Sequence, residues 1–434
     1  MIPAARVQAA LELLTAIDAG GRPADRQMAD YLRRRRYIGS KDRRAITALV
    51  YDVLRHRARA DWWLARDASA ETTVRQRLLA YLALTEGAAE TRRLFDGGSH
   101  YGPAALTADE AAMVEPLSDR GCDHAAQPLA VRCEWPDWLL PLLGETDEAA
   151  IEATLRALNA PAPLDLRVNS LRISRDEARR RLVEEGLEAA PTALSPLGLR
   201  VTGRLQVPAL PAFRDGLIEV QDEGAQIVAF LCDARPGMAV ADLCAGAGGK
   251  TLALAAAMAN QGRLVALDID ADRLARGEPR FHRAGVDSVE PHGLTGGDDP
   301  WLADNAGGFD RVLVDAPCSG SGAWRRQPEA RWRLRPDDLD HYRGLQRQVL
   351  VMGAGLVKPG GRLIYATCSL LPCENQDQAA WFDAGQRDFD PVAIDSLWAP
   401  VGLGGACPAD GPYLHLTPER HGTDGFFVAV WQRH

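Results

Sequence analysis

The chain is 434 residues long, too long for one compact core, so two to four domains of roughly 100–200 residues each are expected. Its 46% hydrophobic and 25% charged content excludes a largely disordered chain. The longest apolar run, Leu252 to Ala259, is far short of the roughly 20 residues a membrane-spanning helix needs. The net charge of −9 is unevenly spread: between Tyr31 and Arg66, ten arginines and Lys41 stand against Asp42, Asp52 and Asp61, a local +8 against −17 for the remainder. A basic patch on an acidic chain is the footprint of a polyanion-binding surface, and RNA is the commonest polyanion in a cytoplasm. A solvated helix face is the plain alternative.

The opening Met-Ile-Pro-Ala-Ala-Arg, followed by Glu12 and Asp18, contains no signal-peptide core. The eight cysteines form neither a disulfide framework nor paired CxxC ladders. A reduced, cytoplasmic protein without a metal centre or an obligate protein partner is therefore expected.

From Ala4 to Thr91 the pattern is helical, with apolar residues at three- and four-residue spacing in Val7, Ala10, Leu11, Leu14 and again in Ile46, Leu49, Val50, Leu54. Ser40 is placed as the N-cap of a basic helix. A breaker-rich stretch follows at Asp96 to Pro103, then a loosely patterned one to Pro128. The proline-rich joint Asn159–Asp165 leads into Leu166-Arg-Val-Asn-Ser-Leu, which alternates like a strand, and the Ser174/Glu177 capping box opens a helix over Arg175–Glu185. With further strand-like pieces to about Val207, this reads as a small α+β module.

From Gly216 strands alternate with helices: a strand at Met238–Cys244, a helix Lys250–Met258, a strand Arg263–Asp268, a helix near Asp272–Ala284, a strand Arg311–Asp315, a helix near Asp337–Leu356 and a strand Arg362–Thr367. That rhythm predicts a Rossmann-like, doubly wound parallel sheet, which binds ligands beyond the carboxyl ends of its strands. The expected parts are thus an all-α domain at 1–127, a linker helix with the α+β module at 128–215, and the α/β domain at 216–434.

Three motifs sit at such strand ends. The first is Asp242-Leu-Cys-Ala-Gly-Ala-Gly-Gly-Lys-Thr251. A Walker A loop would need glycine where Cys244 stands, and a dinucleotide fingerprint would need it where Thr251 stands, so both fail. A nucleoside-binding loop of another kind remains, Cys244 to Lys250 with Ala245, Gly246, Ala247, Gly248 and Gly249, and Asp268 ends the next strand where an acid can bind ribose hydroxyls. S-adenosylmethionine fits such a loop, since it has no pyrophosphate to cradle. Lys250 is one of only three lysines beside 47 arginines, a choice that favours a compact ammonium at this place.

The second motif is Asp315-Ala-Pro-Cys-Ser-Gly and the third Tyr365-Ala-Thr-Cys-Ser-Leu. Their strands are expected to be neighbours, about 4.8 Å apart, so that Cys318 and Cys368 open into one cleft. Two thiols suit methyl transfer to C5 of cytosine. One adds as thiolate to C6 and makes C5 nucleophilic; a second group then helps remove the C5 proton and release the enzyme. Lys250 and nearby helix starts favour ionisation. Asp315 can hold the N3/N4 edge of the base. The base must be unstacked, which calls for a loop or opened RNA.

Together with the closing Thr423-Asp-Gly-Phe-Phe, these motifs resemble the RNA cytosine-5 methyltransferases of the bacterial RsmB (Sun/Fmu) group. The segment Ser40–Arg55 is similar to the NusB-like helical domain of that group, and Leu166-Arg-Val-Asn to the start of its RNA-binding module. The resemblance implies that Cys368 is the nucleophile, that Cys318 assists release, and that S-adenosylmethionine is held by Cys244–Lys250, Asp268 and Asp315. It implies small-subunit rRNA as substrate, with tRNA, another rRNA site or a non-catalytic assembly role as alternatives. The sequence departs from the family pattern at Ala247 (proline), at Cys373 (glutamate), and after the third strand, where Asp298 or Asp299 is the displaced candidate for the acid facing adenine.

Overall fold

The computed structural model describes residues 1–65, 72–118, 120–201 and 207–434. Arg66 of the basic stretch and part of the strand-like run before Val207 lie outside them. The chain forms two compact units, one of residues 1–160 with 324–334, the other of 161–323 with 335–434. Among the described residues no helix is long and apolar enough to cross a membrane.

The first unit is all-helical, with Pro3–Asp18, Ala24–Arg34, Ser40–Arg55, Arg57–Ala65, Val74–Glu86, Ala88–Leu94, Ala108–Val114 and Glu148–Asn159 as its main helices. The apolar spacing read from the sequence is its core: Val7, Ala10 and Leu14 pack with Ile46, Val50 and Leu54, while Leu11 and Leu49 lie at the margin. Ser40 is not an N-cap. Gly39 holds that position, Ser40 is already helical, and no side chain caps this end. The loosely patterned stretch contains a helix announced by a full capping box, Thr107 with Glu110.

The basic stretch divides in two. Arg33, Arg34, Arg36, Lys41 and Arg44 are exposed. Arg55 and Arg59 are buried, Arg59 between Glu134 (3.0 Å) and Asp123 (2.6 Å). Part of the positive charge is therefore structural, neutralised inside the unit.

The second unit carries two sheets. The smaller has β1 (Leu164–Val168), β2 (Ala189–Pro191), β3 (Gly198–Val201) and β4 (Ile218–Val220) in the antiparallel order β2-β3-β1-β4, with the capped helix Arg175–Glu184. The alternation read in β1 does not mean one wet face. Asp165 and Arg167 are buried too, because Asp165 takes a two-pronged bond from Arg200 and Arg167 donates to Gly249 O at 2.9 Å.

The larger sheet holds β5 (Ala239–Leu243), β6 (Arg263–Asp268), β7 (Val289–Gly293), β8 (Phe309–Asp315), β9 (Val357–Thr367), β10 (Phe389–Pro391), β11 (Ala409–Asp410), β12 (Tyr413–Leu416) and β13 (Phe426–Arg433). Its order is β11-β12-β13-β9-β8-β5-β6-β7, with β10 beside β13. Strands β7 to β9 through β5 run parallel, and β13 closes antiparallel on β9. The chain steps from β5 outward to β6 and β7, then returns to β8 on the other side of β5. That reversal is the switch point where α/β sheets bind ligands. The helix expected near Asp272–Ala284 is two pieces, Ala271–Ala275 and Glu278–Ala284, because Pro279 at the start of the second lacks the N–H a continuous helix would use.

Candidate active site

At the switch point β5 delivers the glycine loop. Cys244, Gly246 and Gly248 have φ of 68°, 57° and 75°, a left-handed zigzag that glycine adopts without strain and cysteine does not. A Cβ on Gly248 would lie 2.5 Å from the Phe281 ring, so glycine is required there on packing grounds as well. Two carbonyls of this loop are held by side chains. Ala247 O accepts from Arg280, and Gly249 O accepts from Arg167 and from Gln221 at 3.2 Å.

Asp268 ends β6, buried, and its carboxylate accepts from Gly246 N at 2.7 Å and Asp270 N at 2.9 Å. A carboxylate has about four acceptor sites, so this one retains capacity for ribose hydroxyls. Asp242 lies within β5, fully buried, accepting from Thr251 Oγ1 at 2.6 Å, with its Oδ1 unpartnered. Burial pushes its carboxyl up to about 7.

Strands β8 and β9 pair in register at Asp315 and Ala366. The motifs that follow both strands therefore leave the sheet side by side, and Cys318 Sγ lies 3.5 Å from Cys368 Sγ. The hydrogen bond with Cys368 and burial raise the Cys318 thiol well above its ordinary range. Lys250 Nζ donates to Asp315 Oδ2 at 2.7 Å and sits 5.5 Å from the centre of the Phe426 ring. Burial pulls the ammonium down, but the charge and hydrogen bond of Asp315 outweigh it and leave Lys250 raised. The closing motif is part of the same construction: Gly425 N donates to Gly322 O at 2.8 Å, and any side chain on Gly322 would strike Gly425.

A cavity of about 580 Å³ joins these pieces. Leu243, Cys244, Asp268, Ile269, Asp315, Cys318 and Cys368 all line it, and its size suits a nucleoside-scale ligand with a base beside it. S-adenosylmethionine fits the donor set, with one carboxylate at a strand end for ribose, a left-handed loop at a helix start and the exposed apolar Ile269 on the rim. Beyond β7 the lining is Leu294, Gly296 and Gly297. Asp299 instead accepts from Thr295 and from Trp301 N, capping the helix Pro300–Asp304, and Asp298 is exposed.

Sequence reasoning passes over Glu374. Fully buried, it accepts from Ser319 N (2.8 Å) and Gln346 Nε2 (3.0 Å) at one oxygen and from Ser319 Oγ and Ser369 Oγ (both 2.5 Å) at the other. Ser319 follows Cys318 and Ser369 follows Cys368, so one carboxylate ties both cysteine loops. The available signal is a Glu-Asn pair between a short apolar turn and a helix, directly after the Cys373 departure.

A Rossmann-like sheet with a glycine loop, a strand-end acid and this cavity defines the S-adenosylmethionine-dependent methyltransferases. Residues 229–432 match the family described as 16S rRNA methyltransferase RsmB/F, and residues 135–208 match the ferredoxin-like domain of RsmF/B-like methyltransferases. Ribosomal RNA small subunit methyltransferase B of Pectobacterium carotovorum is 30% identical over 414 residues, covering 91% of each chain. The crystal structure of PH0851 superposes with a TM-score of 0.80 at 26% identity, covering 100% of this chain and 99% of that one. A methyltransferase homologue from Pyrococcus horikoshii gives 0.61 at 28% identity, over 70% of this chain and 98% of its own. The chain belongs to the RsmB/F family of rRNA methyltransferases.

Proposed function

We propose that this protein forms 5-methylcytosine in 16S rRNA in the cytoplasm, through a covalent adduct between Cys368 and C6 of the target base. The observation that carries the reading is the shared cavity: both thiols open into the space bordered by the nucleoside loop and Asp268. S-adenosylmethionine, held by residues 244–250, Asp268 and the Asp315 side of the cavity, supplies an electrophilic methyl group there.

The hydrogen bond with Cys368 and burial keep Cys318 a thiol, and Cys368 is the sulfur that attacks, as a thiolate. Lys250, half-buried, adds a positive charge beside Asp315, which lines that cavity. Addition of Cys368 to C6 makes C5 the nucleophile that takes the methyl group, while Asp315 orients the exocyclic amine edge. Once Cys368 is a thioether it no longer carries charge, and the influence that held the proton on Cys318 is gone. Cys318 then gives its own proton to solvent and, as a thiolate, takes the C5 proton; the electrons of that C–H bond re-form the C5–C6 double bond and the C6–S bond breaks, returning Cys368 as a thiolate.

The helical part to residue 127, with its NusB-like segment, and the α+β module of 128–215 serve in this reading as RNA-docking parts for the catalytic domain of 216–434. Modification of tRNA by the same chemistry is the nearest rival. A non-catalytic assembly role is disfavoured, because a scaffold has no use for two thiols 3.5 Å apart.

The test is a denaturing gel after incubation with 16S rRNA and S-adenosylmethionine. Cys318→Ser should give a retarded, nuclease-sensitive band and Cys368→Ser none. The reverse pattern would exchange the two roles, and tRNA run in parallel decides the substrate.

A further inference from the structure

Resting on the reading of this chain as an RNA methyltransferase, we propose that the helical unit contains a nucleotide-stacking pocket that takes an unpaired nucleotide of the RNA, with Tyr37 and Tyr101 as its platforms. The pocket is a cavity of about 780 Å³ bordered by Met1, Ile2, Tyr31, Tyr37, His100 and Tyr101 among others. Tyr37 and Tyr101 are 74% and 73% exposed. Aromatic rings of this size are normally packed away, and two left open on one cavity form a surface suited to planar partners.

The surroundings decide which partner. Tyr37 stands on the turn between the helices Ala24–Arg34 and Ser40–Arg55, and buried Ile38 anchors that turn. Exposed Arg33, Arg34, Arg36, Lys41 and Arg44 flank it. Acidic groups nearby are already engaged. Asp42 holds the N-terminal amine at 2.8 Å and Arg6 at 2.7 Å. Glu12 accepts from Tyr31 OH at 2.8 Å and pairs with Arg35 at 3.3 Å. The Arg35 guanidinium lies 3.7 Å over the Tyr31 ring, so the pocket wall is pre-built and Arg35 is a structural member of it. Aromatic platforms beside a run of exposed arginines are the combination that binds single-stranded nucleic acid, with rings stacking bases and guanidinium groups tracking phosphates.

Stacking and phosphate pairing separate experimentally, because stacking releases no counterions. The probe is a short fluorescein-labelled single-stranded RNA of mixed sequence, titrated with the full-length protein over a range of KCl concentrations. Tyr37→Ala/Tyr101→Ala should weaken binding roughly fivefold to a hundredfold with an unchanged salt slope. Tyr37→Phe/Tyr101→Phe, which keeps both rings, should bind as wild type. Arg33→Gln/Arg34→Gln/Arg36→Gln should instead flatten the slope by about 0.7 for each phosphate that is no longer neutralised. If the double alanine variant binds as wild type, the assignment is overturned and a protein ligand becomes the reading of this pocket. The comparison reads RNA binding alone, so it stands or falls independently of methyl transfer, which the adduct gel measures.

Discussion

Cys318 Sγ lies 3.5 Å from Cys368 Sγ at the ends of two paired parallel strands. At that separation the two sulfurs share a hydrogen bond, which together with burial raises the Cys318 thiol. Replacing Cys368 by serine removes the sulfur whose hydrogen bond and charge raise the Cys318 thiol. The Cys318 thiol should then ionise at lower pH than in the wild type. Iodoacetamide labelling of the Cys318 peptide, followed by mass spectrometry across pH, should show its midpoint move down in Cys368→Ser. An unmoved midpoint would mean that the sulfurs do not communicate and that Cys318 is not primed by its partner.

Glu374 should control the rate rather than cofactor binding. Its two oxygens take four hydrogen bonds from Ser319, Ser369 and Gln346, and it does not line the cofactor cavity. Glu374→Gln puts an NH2 donor where two hydroxyl groups need an acceptor, so the cysteine loops lose their common anchor. Displacements of under an ångström between reacting groups cost about 10- to 100-fold in rate. The expected result is a kcat lower by that order with S-adenosylmethionine affinity unchanged in calorimetry. Wild-type kcat in this variant would remove Glu374 from the site.

The parts of the molecule legible in the sequence are those set by local pattern. The β/α rhythm, the glycine loop and the placement of Asp315 and Cys318 on one strand end and Cys368 on the next follow from short-range periodicity and turn chemistry, and β8–β9 pairing then brings the thiols together. The features hidden from sequence depend on distant partners. Nothing near Arg59 announces that it is consumed by Glu134, which lies 75 positions away. Asp165 and Arg167 look like a solvent-facing alternation until Arg200, Gln221 and Gly249 are folded onto them. Glu374 gains its meaning only when Ser319, 55 positions earlier, is brought alongside.

Asp242 predicts a pH signature in stability. Burial raises its carboxyl to about 7 in the folded protein, against about 3.9 in the unfolded chain. Between those values the folded state binds the extra proton, so this group's contribution to stability falls as pH rises from about 4 to about 7 and is flat above. Asp242→Asn cannot titrate. The melting temperature of the variant minus that of the wild type should therefore climb across that window and level off above it. A difference independent of pH would show that Asp242 is ionised throughout.

The segment 324–334 follows the Cys318 motif in sequence yet belongs to the helical unit's core. Trp324 is 1% exposed, with its ring centroid 4.8 Å from that of Trp135. Arg331 Nη1 donates to Glu134 O at 2.7 Å and Asn159 Oδ1 at 3.0 Å, while Glu329 accepts from Ala24 N at 2.9 Å. The helical unit is thus incomplete as residues 1–160, because a buried indole and a buried guanidinium would be missing from its interior. Trp324→Ala should cost about 3–5 kcal/mol, the usual range for emptying a large aromatic site, and the loss should fall on that unit. Hydrogen exchange read by mass spectrometry should show faster exchange in peptides from the helices Pro3–Asp18 and Val74–Glu86, with β5 and β8 protected as before. Equal protection in all four would mean that the segment rests on the helical unit without supporting it.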